Sequence, residues 1–364
     1  MKCDNKIATK EVISTREKAT SQTASREFFF MANGTSSKLP PVFDTLTHFI
    51  TKDAGIELGK PLGIEGYLSY VKSWQNPNVK AINLICGACP QYETAKEIII
   101  PCKWVVENNN ITEFSYRIQR NRSIIKQVEN NCYSAVNNLV FDELKKISGK
   151  YPKLKLFYSP MIHPRKTSID ELEKLISESK KMILGFKIHG IATNSCPKDF
   201  NPELAKYLAK TGIPLIIHTD YYNRTLPSVI KDTNDAKIYL QKINNPKDWI
   251  VFCIKYSIKA SLQHGARNDS EVYRIIKENR GQFNVGLGPK LDGQCERIVE
   301  KTNNFLESVF ERLGPDFCIF SSDYPHNETG EDMTREIISL LSKEEQKKVF
   351  HENAEKFFEV DLKD

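Results

Sequence analysis

The chain has 364 residues, of which 40% are hydrophobic and 27% charged, with a formal net charge of +6. That length and apolar content support a large core, well beyond what a minimal domain needs. The positive charge is spread along Lys-rich segments with no basic patch interleaved with aromatics, which argues against nucleic acid, and no run of about 18 apolar residues is present to span a membrane.

Nine cysteines at irregular spacing fit a reducing, cytoplasmic setting better than a disulfide framework. Cys86 and Cys89 form a lone CxxC pair, too little for a structural zinc knuckle.

In chain order, residues 1–26 are rich in Lys, Glu, Ser and Thr, and residues 1–40 are read as a polar, flexible arm. One domain is expected over 41–364. The first predicted strand, 42–49 (VFDTLTHF), places Val42, Asp44, Leu46 and His48 on one side by the two-residue period. A second strand is predicted at 79–86, an insertion within 87–123, a long helix at 124–150 and a third strand at 154–162. Ser168 with Glu171 three residues later opens a helix as a capping box. Strands at 182–189, 213–218, 259–264, 282–287 and 317–322 then alternate with helices at 202–210, 235–243, 247–256, 269–279 and 295–313, and a helix over 343–358 closes the chain. Eight short apolar strands separated by helices predict an α/β protein, a (β/α)₈ TIM barrel with insertions. A doubly wound open sheet is the alternative, and the absence of a Gly-rich loop after any strand argues against it.

Barrel sites lie at the C-terminal ends of the strands. Here those ends carry Asp44 and His48, Cys86, His163, Lys187 and His189, His218 and Asp220, His264, and Asp323, with His326 just beyond. Five of the seven histidines fall at or beside such an end. A single strand histidine is usually structural; several at one level are read as a site. Imidazoles and a carboxylate converging there can bind a divalent ion and acidify its water. Tyr221, Tyr222, Arg267 and Lys290 fall on loops expected to face the same mouth, as candidates for a substrate carboxylate.

GFKIHG, PLIIHT, SLQHGA, SSDYPH and FHENAEKFF, in that order over residues 41–358, resemble signatures of the amidohydrolase superfamily, within it the amidohydrolase-2 group of decarboxylases and metal-dependent hydrolases. The resemblance implies His48, His218 and Asp323 as metal ligands, Asp323 also as the group that deprotonates water, His264 as the substrate-polarising histidine, and Lys187 at the position where some relatives carry a bridging lysine. The family's first strand has Asp-x-His-x-His; here it reads Asp44-Thr45-Leu46-Thr47-His48, with leucine in place of a ligand. His189, Asp44 or Cys86 is then a candidate extra ligand or outer support. The implied cofactor is a divalent metal, zinc first and manganese second. The implied activity is hydrolysis or non-oxidative decarboxylation of a small organic acid, lactone or cyclic amide, by a protein free to form a homo-oligomer. The alternative, prompted by Leu46, is a barrel that has lost catalysis and serves as a binding protein.

Overall fold

The computed structural model describes residues 40–49, 63–72, 78–86, 133–179, 181–193, 195–219, 243–288, 298–324 and 330–362. The expected arm up to residue 39, the insertion over 87–123, the start of the long helix and the helix at 235–243 (but for Ile243) lie outside them.

Each strand is followed by a helix. The order is β1 (Val42–Phe49), α1 (Gly63–Lys72), β2 (Val79–Cys86), α2 (Ser134–Ser148), β3 (Lys155–Ser159), α3 (Ile169–Ser179), β4 (Phe186–Ile188), α4 (Pro202–Thr211), β5 (Leu215–Ile217) and α5 (Pro246–Tyr256). It continues with β6 (Ala260–Leu262), α6 (Ser270–Glu278), β7 (Phe283–Gly286), α7 (Ile298–Arg312), β8 (Cys318–Ile319), α8 (Gly330–Leu340), α9 (Lys343–Lys347) and α10 (Asn353–Phe358).

Helix starts follow the local chemistry. Asn201 caps α4 by accepting from Glu203 N with Pro202 at the first position, and Asn245 and Pro246 do the same for α5. Ser168 and Glu171 make the predicted capping box, with Glu171 N donating to Ser168 Oγ at 3.1 Å and Ser168 N to Glu171 Oε2 at 2.9 Å.

All adjacent strands pair in parallel, in two ladders, β1-β2-β3 and β4-β5-β6-β7-β8. Backbone hydrogen bonds join the ladders at both seams. At one, Tyr158 N donates to Met182 O (2.9 Å), Leu184 N to Tyr158 O (3.0 Å) and Lys187 N to Pro160 O (2.9 Å). At the other, Thr45 N donates to Phe320 O (3.2 Å), Asp323 N to Leu46 O (2.9 Å) and His48 N to Tyr324 O (2.7 Å). The sheet therefore closes into an eight-stranded TIM barrel, as predicted.

Alternate residues face the helices and the interior. Leu215, Ile217, Ala260, Leu262, Phe283 and Val285 join the large core shared with the helices. Phe43, Ala81, Leu184, Ile216 and Ile319 form the lower interior layer, closed by Ala354, Phe357 and Phe358 of α10. Above it the interior turns polar: Asn83 Nδ2 donates to Thr45 O (2.9 Å), and Ser159 Oγ donates to Asn83 Oδ1 (3.0 Å).

Three expectations need correction. The strict alternation along β1 fails, because its pairing with β2 shifts register between Val42 and Phe43 and again between Asp44 and Thr47. Phe43, not Val42, thus enters the lower interior layer. The hydrogen-bonded strands β4 and β8 are shorter than expected, since the chain leaves the ladder where it turns into site loops. Helices α1 and α8 were not anticipated, and the closing helix is broken by a π-helical turn at Lys348–Glu352.

Candidate active site

His48 ends β1 and reaches Asp323, just past β8, with Nε2 and Oδ1 2.8 Å apart. Burial lowers the His48 pKa, and Asp323 opposes that shift. Asp323 holds φ of 56°, a left-handed conformation uncommon for a non-glycine residue. Its backbone is fixed by the donation from Asp323 N to Leu46 O, so the β1–β8 seam itself aims the carboxylate.

Asp44 supports that seam. Its Oδ1 accepts from Ser322 N (2.9 Å) and its Oδ2 from the Tyr67 hydroxyl of α1 (2.7 Å). Burial, only partly offset by these bonds, pushes its pKa up to about 6. These bonds make Asp44 a support of the β1–β8 seam.

Three histidines form a second group. A hydrogen bond of 3.0 Å joins His218 Nδ1 to His264 Nε2, and the His189 ring stacks on His218 with centroids 4.0 Å apart and planes 11° from parallel. Burial, then the neighbouring His189, His264, Lys187 and His48, hold the His218 pKa well below its ordinary value. The stacking makes His189 a packing partner of His218. Lys187 lies between the groups on β4, 2% exposed, and burial lowers its pKa to about 8 against the pull of Asp323.

His264 opens an unusual turn. His264, Gly265, Ala266, Arg267 and Asn268 all have positive φ, from 45° to 62°. Outside groups hold this left-handed segment. Tyr273 donates its hydroxyl to Gly265 O (2.7 Å), and Arg312 Nη1 donates to Asn268 O (2.7 Å). Phe305 packs so closely that a Cβ on Gly265 would fall 2.3 Å from its Cζ. Arg267, a candidate substrate ligand, donates its Nε–H to Thr219 O and so ties the turn to the end of β5. Nothing in the pattern HGARN signals this conformation; the one hint is Gly265.

Leu46 is fully buried beside the site. A Cβ on Gly288 would lie 3.2 Å from Ser321 Oγ, 3.5 Å from His264 Nδ1 and 3.6 Å from Leu46 Cδ2. The leucine therefore occupies the level of the expected ligand. His163 is placed apart: its Nδ1 accepts from Arg165 N at 3.2 Å and its ring packs 6.4 Å from that of Tyr133. Asp220, Tyr221, Tyr222, Lys290, His326 and the side chain of Cys86 lie outside the described residues.

Among the described residues no three His, Cys, Asp or Glu side chains already converge on one point. The chemistry nonetheless fits: two imidazoles and a carboxylate stand at strand ends, and His218 Nε2 is buried with no hydrogen-bond partner among the described residues. An ion there would replace the His48–Asp323 hydrogen bond.

Against known proteins, the family model described as amidohydrolase matches residues 296–360. No curated protein matches the sequence significantly. Among solved structures, 5-carboxyvanillate decarboxylase from Sphingomonas paucimobilis aligns at TM-score 0.57 and 11% identity, covering 88% of this chain and 99% of that one. The same enzyme from Novosphingobium aromaticivorans, complexed with manganese and 4-hydroxy-3-methoxy-5-nitrobenzoic acid, aligns at 0.54 and 12%, covering 90% and 98%. An amidohydrolase from Burkholderia multivorans with bound zinc aligns at 0.52 and 10%, covering 88% and 99%. The C-terminal segment 296–360 is thus similar to the amidohydrolase family, and the chain shares the barrel fold of these solved structures.

Proposed function

We propose that this protein is an amidohydrolase-family enzyme, a metal-dependent hydrolase or non-oxidative decarboxylase acting on a small organic acid, lactone or cyclic amide. The observation that carries the reading is the placement of His48, Asp323, His218, His264 and Lys187 at the strand ends of one closed barrel. His48, His218 and Asp323 would hold a divalent ion, zinc or manganese. When bound, that ion supplies Lewis-acid polarisation of a carbonyl and a lowered pKa for water.

The remaining work falls to the chain. Asp323 accepts the proton of the attacking water, because its carboxylate is buried at the strand-end site and aimed there by its backbone bond to Leu46 O. His264, held by its left-handed turn, donates to the substrate carbonyl oxygen, and Lys187 adds positive charge as that oxygen gains electrons. The buried lower layer beneath them keeps bulk water from entering from below.

Calorimetric titration with zinc and manganese, paired with rate measurements on lactone and aromatic carboxylate panels, tests the reading. Metal-dependent turnover that Asp323→Asn abolishes supports it. Absence of both metal binding and turnover would favour the alternative that Leu46 prompts, a barrel retained for binding.

A further inference from the structure

Side-chain bonds join the left-handed turn to the end of β5 beyond the ladder bond from Gln263 N to Ile217 O (2.9 Å). Gln263 O accepts twice. One donor is Ala266 N, inside the turn, at 3.3 Å, and the other is the hydroxyl of Thr219. That uses both lone pairs of the carbonyl. Thr219 O in turn accepts the Nε–H of Arg267. Thr219 is fully buried, so its hydroxyl has no bulk water to turn to.

The position of these bonds matters. Thr219 follows His218, and Gln263 precedes His264. The backbones that carry both imidazoles are therefore fixed to each other through Thr219. Their rings meet edge to face, with centroids 4.5 Å apart and planes 72° apart, and His218 Nδ1 lies 3.0 Å from His264 Nε2. Phe305, Tyr273 and Arg312 hold the shape of the turn from its outer side, and none of their bonds to it reaches β5.

We propose that Thr219 is a positioning residue: as donor to Gln263 and acceptor for Arg267, it sets the spacing at which His218 and His264 hydrogen-bond, and so commits His218 Nε2 to the site. With Nδ1 engaged, Nε2 is the ring nitrogen of His218 left to take an ion. Valine at 219 would keep the shape and remove the donor, freeing the end of β6 to drift. An N–H···N contact of 3.0 Å has little room to lengthen before it fails as a hydrogen bond. The bond between the imidazoles does not depend on an ion; only the consequence for metal rests on the reading above.

The test uses the full chain, labelled with ¹⁵N-histidine and stripped with a chelator. Nuclear magnetic resonance measures the nitrogen–nitrogen coupling across the His218–His264 hydrogen bond. The coupling should be present in the parent chain and in Thr219→Ser, which keeps the hydroxyl, and lost in Thr219→Val. In zinc titrations Thr219→Val should bind about tenfold more weakly than the parent, the size expected when the support of a ligating histidine is removed, and Thr219→Ser should match the parent. A merely structural threonine would lower the melting temperature of Thr219→Val and leave coupling and zinc affinity unchanged, which overturns the proposal. Absence of the coupling in the parent, or failure of Thr219→Ser to retain it, overturns it as well. Should Thr219→Val not fold, Arg267→Gln cuts the other bond to Thr219 and decides by the same coupling: its loss supports the proposal and its persistence overturns it. A parent that shows the coupling but binds no zinc sinks the metal reading alone, and unchanged coupling in Thr219→Val beside normal zinc binding sinks this inference alone.

Discussion

Leu46 and Asp323 lie across the same seam, and their pairing sets the chemistry available at the site. Asp323 N donates to Leu46 O, so the residue standing where the family pattern has a histidine also positions the proposed ligand Asp323. Leu46→His should raise zinc affinity by roughly tenfold or more, because a further neutral imidazole joins the set without moving the backbone that aims Asp323; isothermal titration against the parent chain measures it. Asp323→Asn keeps the shape and removes the base, so metal-loaded turnover should fall by about 10²–10⁴-fold while the circular dichroism stays unchanged. Lys187 makes a prediction of opposite sign for stability. Its folded pKa, about 8, lies below the ordinary 10.5. A depressed lysine favours the folded state fully above the unfolded value, and that contribution is lost as pH falls through the folded one. Lys187→Met should therefore stabilise the fold at pH 7, by on the order of 3 kcal/mol, and flatten the loss seen between pH 10 and 8, while removing activity. Denaturant unfolding across that pH range checks both the size and the direction.

At the scale of elements, the left-handed turn after β6 and the closing helix α10 support opposite ends of the barrel. The turn is held from outside by Tyr273, Arg312 and Phe305, none of which reaches the site. Gly265→Ala should destabilise the protein by about 1–3 kcal/mol, since its Cβ collides with Phe305 and its φ of 62° disfavours a side chain. Activity should fall more than stability, because the same backbone carries His264, and a comparison of turnover with melting temperature separates the two. At the other end, Phe358 packs against Phe43 and Phe357 with ring centroids 6.4 and 5.0 Å away. Phe358→Ala should cost about 3–5 kcal/mol by opening a cavity in the lower layer. The site chemistry should survive in the fraction that remains folded, as thermal unfolding and residual turnover would show.

For the molecule as a whole, the barrel closes through two backbone seams, and all the described hydrogen bonds of those seams fall between residues 45 and 324. Pro40–Asp364 forms one compact unit. A chain beginning at Glu27 should unfold at the same denaturant midpoint as the full chain, within about 0.5 kcal/mol, because residues 1–26 are rich in Lys, Glu, Ser and Thr and have no aromatic side chain. A midpoint that drops well below that range would make the N-terminal stretch part of the core.

The sequence by itself determined the class of fold and most of the cast of residues. Eight apolar runs alternating with capped amphipathic segments leave few topologies open, because parallel strands need crossovers and bury both faces. The polar ends of those runs, His48, Lys187, His218, His264 and Asp323, were legible because apolar strands seldom stop in charge without cause. Tertiary structure alone decided the rest. Register shifts in β1 break the strict alternation, and Asp44 bonds Tyr67 and Ser322, which a two-residue period cannot foresee. Arg267 became a strut on Thr219, because the left-handed turn is imposed by Phe305, Tyr273 and Arg312 from distant helices.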